Sequence, residues 1–207
     1  MLVHYGIGAV LGAICGGIAA FLAYSGYGRR RLRLFARLFR GVGRVRRRCF
    51  EALGAGVLLG LYGTWLCDGE EQMLAGFLLT VSCLVSVTLT DLRRREIRMD
   101  TLACYAAALV IYRAAVGGLY AALLGAAAGA ALLGAPHLLK KESVGLGDVA
   151  LLAVCGLYYG ASGVLSLLLR ALVLMAAVGI VQLLRRRATG KSEIPMTPFL
   201  LVSALLF

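Results

Sequence analysis

Met73-Leu-Ala-Gly-Phe-Leu-Leu-Thr80-Val-Ser-Cys-Leu-Val-Ser-Val-Thr-Leu-Thr90 runs for 18 residues without a charge and then meets Asp91-Leu-Arg-Arg-Arg95. The run is close to the ~20 apolar residues that carry a helix across a bilayer. Comparable runs occupy 2–24, 49–67, 101 to about 116, 119–135 and 164–184. A further helix is expected over 149–159, interrupted by Gly160-Ala-Ser-Gly163. The last run, 195–207, has 13 residues, or ~20 Å as a helix, and reads as a partial or truncated span. Of the 207 residues, 61% are apolar and 15% charged, with a mean hydropathy of +0.88. Soluble domains are nearer ~45–50% and ~25%. A disordered chain, a basic nucleic-acid-binding domain and an ordinary cytosolic enzyme are thereby excluded. The expected fold is all-α: one polytopic membrane helix bundle over 1–207, with about seven or eight helices.

Gly8, Gly12 and Gly16 recur at four-residue spacing in the first run, which suits close helix packing in lipid. That run reads as a span and not as a removable signal, because no basic region precedes it and no small-residue cleavage site follows. The net charge of +12 is concentrated: 20 of the 22 basic residues lie in the segments 25–48, 91–100, 137–148 and 185–194. With the N-terminus outside, all four fall on the cytoplasmic side, and Asp68, Glu70 and Glu71 fall opposite. The basic loop 25–48 carries Leu34, Phe35, Leu38 and Phe39 among its arginines. It reads either as a topology-setting charge run or as an amphipathic helix on anionic headgroups.

Six cysteines are scattered singly, with neither CxxC nor Cys/His spacing, and read as small packing residues. His4 and His137 have no partner at ligand spacing. No metal and no other cofactor is expected.

Two carboxylates stand apart. Asp91 closes the run quoted above, and Asp148 opens a helix in Gly145-Leu-Gly147-Asp148. Acids at a membrane boundary are costly and mark function by default. Brought together, two such groups repel and share one proton, so that one takes a proton from water while the other donates to a carbonyl oxygen. Gly145 and Gly147 would let the backbone bend or approach a substrate. The simpler readings are a helix cap for Asp148 and an ion pair with Arg94 or Arg95 for Asp91. Asp100 reads as the cap of the helix that begins at Thr101. Arg113 and Arg170, the two isolated bases, read as snorkelling or paired within the membrane.

Four segments together resemble the type IV prepilin peptidases, GxGD-type membrane aspartyl proteases. They are Asp91-Leu-Arg-Arg-Arg-Glu-Ile97; Lys141-Glu142-Ser-Val-Gly145-Leu-Gly147-Asp148-Val-Ala-Leu151; Gly156-Leu-Tyr-Tyr-Gly160; and Ile194-Pro195-Met-Thr-Pro198-Phe199-Leu200. They span about residues 74–207. The resemblance implies catalytic roles for Asp91 and Asp148, loop shaping by Gly145 and Gly147, and motif positions for Glu142 and Pro198. It implies an aspartic endopeptidase that cuts a short basic leader from prepilins or pseudopilins at the cytoplasmic face of a bacterial or archaeal membrane, without metal. The chain departs from the family pattern at Arg98, where a proline is usual, and at Ala150, where a lysine is. The loop 25–48, with Cys49 alone beside it, stands where bifunctional members carry a larger cytoplasmic domain with paired CxxC motifs. Two other readings remain open: a small transporter with both acids as an ion site, and an inactive secretion-machine scaffold.

Overall fold

In the computed structural model the described residues are 8–17, 43–66, 71–139, 145–184 and 195–206, and every regular element among them is a helix. In chain order these are α1 (Gly8–Gly17), α2 (Gly43–Leu66), α3 (Glu71–Arg94), α4 (Met99–Val116), α5 (Leu119–Leu139), α6 (Leu146–Leu184) and α7 (Thr197–Leu205). Four of them, α3 to α6, include stretches long and apolar enough to cross a membrane. The all-helical, polytopic fold expected from the sequence is the one observed. Residues 25–42 lie outside the described set, as do 67–70, 140–144 and 185–194. Residues 43–48, expected at the end of the basic loop, are the helical start of α2. Arginine is a good helix former, so the helix need not stop where the apolar run does.

The chain divides into two compact units, Met1–Ser86 and Val87–Phe207, with α3 contributing to both. In the first, α1 and α2 meet through glycines. A Cβ on Gly12 would run into the Gly56 carbonyl, and one on Gly60 into that of Gly8. Apolar side chains gain little from helix association in lipid, so backbones that approach this closely gain dispersion contacts instead. Gly63 likewise leaves room for Leu74 and Phe77 of α3.

In the second unit α6 packs on α4, α5 and α7. Gly117 and Gly118 turn α4 into α5 with φ of 95° and 81°, a left-handed pair that glycine adopts without strain. Along α5, Gly125 meets Gly156 and Gly129 meets Leu152, backbone against backbone. Pro136 removes one helical donor but does not end α5, which continues to Leu139 beyond the expected stop near residue 135.

The 39 residues of α6 would extend ~58 Å as a straight helix, about twice the ~30 Å hydrocarbon thickness. They do not form one rod. Gly160 has φ 70° and ψ −177°, a conformation no helix contains, so separate helices precede and follow it, as the interruption at Gly160–Gly163 implies. The break frees the carbonyls of the preceding turn. Arg113 answers them: its Nε donates to the Leu157 carbonyl at 3.0 Å and its Nη2 to that of Tyr158. Arg170 does the same at the end of α7, donating from Nη1 to the Leu206 carbonyl at 3.2 Å. The pairing expected for both isolated arginines is with backbone carbonyls.

Gly54 and Gly160 both have open space where a Cβ would project, and they differ in φ. Thermal unfolding in detergent micelles followed by circular dichroism separates space from conformation. Gly160→Ala is expected to cost about 1–3 kcal/mol from its backbone angle alone. Gly54→Ala, in a helix interior, is expected to be neutral or stabilising by up to ~1 kcal/mol.

Candidate active site

Asp91 lies in the last turn of α3. The stop that follows is a left-handed residue, Arg95 at φ 53°, whose N–H donates to the Asp91 carbonyl at 2.7 Å. This is the single-bond left-handed cap that ends many helices, here without the usual glycine. The chain then passes through Ile97 and an extended Arg98 before α4 begins at Met99. Asp100 therefore does not cap α4, as its sequence position suggested. It falls inside the first turn, where its negative charge suits the helix dipole. There it pairs with Arg98 at 3.5 Å and points away into the open.

Asp148 sits three residues after Gly145, in the first turn of α6. Its carboxylate accepts a hydrogen bond from the Gly145 N–H, and its own N–H donates to the Gly145 carbonyl at 3.1 Å. An acid at this position reaching back to the residue before the helix is half of a capping box. Asp148 is thus the third residue of α6 and not its N-cap, a position that falls to Gly145. The Asp91 and Asp148 carboxyl groups, 57 positions apart in the chain, lie within electrostatic reach of one another. Both residues are half-buried.

The approach depends on Gly147. A Cβ there would stand 2.7 Å from the Ile97 Cβ, nearer than side-chain carbons come. The missing side chain therefore admits Ile97, and through it the segment that follows Asp91 rests on the start of α6. The sequence left two uses open for Gly147, a bend of the backbone and a close approach to a substrate; the space beside it is filled by Ile97 of the protein itself. Gly145 is more open: the nearest atom to a Cβ there would be the Asp148 carboxylate oxygen Oδ2 at 3.4 Å.

A third stretch of chain reaches the pair. Thr197, the first residue of α7, donates from Oγ1 to the Asp91 Oδ2 at 2.6 Å. Pro198 follows it in the first turn, where a missing N–H costs nothing. Sequence reasoning singled out Pro198 and passed over Thr197. The available signal was a hydroxyl residue directly before a proline inside a motif already recognised. Glu142 lies outside the described residues. Among the described residues, no three His, Cys, Asp or Glu side chains gather as a metal site would require.

Residues 78–180 match the profile of the type IV leader peptidase family. The matched segment includes Asp91, Ile97, Gly145, Gly147 and Asp148, and stops short of Thr197. No curated protein and no solved structure matches the chain.

The two glycines before Asp148 are expected to differ on substitution. Gly147→Ala must displace a branched Cβ and should cost about 1–3 kcal/mol in thermal stability. Gly145→Ala should change the unfolding temperature little. Equal losses for both variants would contradict the role given to Ile97.

Proposed function

Because the chain belongs to the type IV leader peptidase family and is thereby a protease of the membrane, we propose that it removes the short basic leader of prepilins or pseudopilins, with Asp91 and Asp148 as its hydrolytic pair. One observation carries the reading: two carboxylates far apart in sequence come within electrostatic reach at helix ends. In a chain that is 61% apolar, such a pairing is unfavourable without a use for it.

The chemistry follows from the pair. The ionised carboxylate takes a proton from a water, whose oxygen attacks the scissile carbonyl carbon. The protonated carboxyl gives its proton to the carbonyl oxygen, and a neutral tetrahedral diol forms. Collapse of the diol breaks the C–N bond. The amine leaves with one proton from the pair, and a diol hydroxyl returns one to it. The sum is one water consumed and one peptide bond cut, with no covalent intermediate. Gly145 supplies an N–H to Asp148 and Gly147 admits Ile97. Pro198 shapes the start of α7, and Glu142 lies in the chain just ahead of the GxGD segment.

The basic segments 25–48, 91–100, 137–148 and 185–194 set the orientation, with the N-terminus outside and the pair at the cytoplasmic face of a bacterial or archaeal membrane. The positive charge of 25–48 attracts anionic headgroups.

The test is leader removal in membranes, with prepilin-like substrates from the same genome. Asp91→Asn and Asp148→Asn should each lower the rate by roughly 10²–10⁴-fold or more while inserting normally. The double variant should fall little further than the worse single one, because the acids act as a unit. A double variant that still cleaves would overturn the assignment. No cleavage by a well-inserted wild type would favour the ion-site or scaffold reading.

A further inference from the structure

Thr197 is fully buried, and its hydroxyl is spent on a single acceptor, the Asp91 Oδ2 at 2.6 Å. The distance falls in the ~2.5–2.7 Å range of hydroxyl-to-carboxylate bonds, which are stronger than neutral ones. α7 starts without a side-chain cap, since Met196 precedes it and offers none. Thr197 is held where it is from the far end of the helix as well. Ser203 Oγ donates to the Leu167 carbonyl at 2.8 Å, and the Leu206 carbonyl accepts from Arg170. A nine-residue helix tied to α6 at one end thus presents a hydroxyl to an acid at the other.

An aspartate needs such a partner if it is to act on one particular water. The torsion that turns its carboxylate is soft and roughly two-fold, so a half-exposed group samples many orientations. One bond to Oδ2 removes that freedom and leaves Oδ1 as the oxygen available to a water. We propose that Thr197 is a positioning residue that orients the Asp91 carboxylate for water activation. The proposal rests on Asp91 being a member of the hydrolytic pair. Thr197 itself touches neither water nor substrate in this scheme.

Three variants in the same membrane cleavage assay separate orientation from packing. Thr197→Val keeps the shape and loses the donor. Thr197→Ser keeps the donor and loses a methyl group. If the hydroxyl orients Asp91, Val should lower kcat about 10–100-fold, the loss of one bond to a charged group, with KM nearly unchanged. Ser should stay within about 3-fold of wild type on the same reasoning. If Thr197 only fills space, the order reverses: Val matches wild type and Ser is the weaker. Thr197→Ala replaces Val in the comparison should Val not insert, and it too must fall well below Ser. Wild type with kcat equal to that of Val overturns this inference and leaves the peptidase reading standing. Cleavage that survives loss of both aspartates overturns the reading, and this inference with it.

Discussion

Lipid offers no water to a backbone carbonyl or amide, so each must be answered from within the protein. Most of the second unit can be read from that constraint. It accounts for every described element being a helix, and it makes a helix end in apolar surroundings a problem to be solved. The break at Gly160 exposes the carbonyls of the turn before it, and Arg113 supplies two donors to them. The end of α7 is met by Arg170. A guanidinium has five donors and no acceptor, which suits it to cap carbonyls in a place where a carboxylate partner would itself need desolvating. The two arginines that look misplaced in apolar sequence supply donors where these helices end.

The same constraint decides how helices pack. With little hydrophobic gain between them, close approach has to come from small residues. The sequence showed this for one surface, through Gly8, Gly12 and Gly16. It did not show the partner. Gly56 and Gly60 complete the contact, and nothing in their spacing assigns them to α1 in preference to any other helix. Gly125 and Gly156 form a comparable contact and were equally silent. A periodic small residue reveals that a face is closely packed, and pairing is a property of the fold.

At the candidate site the legible part was chemical. Asp91 and Asp148 stand out because acids are scarce in a chain this apolar, and their motifs named them together. The parts that bring them together were not legible. Ile97 against Gly147 is an ordinary apolar contact whose importance lies in a distance. Asp100 does not cap because the helix expected to begin at Thr101 begins at Met99, after an extended Arg98. A boundary error of two residues was enough to turn a residue of the first turn into a cap.

The last helix shows where a length criterion fails. Residues 195–207 were weighed as a span, and by that measure a nine-residue helix of ~14 Å is a fragment. Length measures what a helix can cross, whereas α7 matters for what its ends hold. Its first residue bonds an acid of the candidate site, and its end is tied through Ser203 and the Leu206 carbonyl to the part of α6 that follows the break. One hydroxyl and one carboxylate meet there at 2.6 Å, so that α7 links Asp91 to the part of α6 after the break. The geometry of the pair thus depends on α6 twice. Asp148 stands on the helix before Gly160, and the helix after it steadies the hydroxyl that Asp91 accepts.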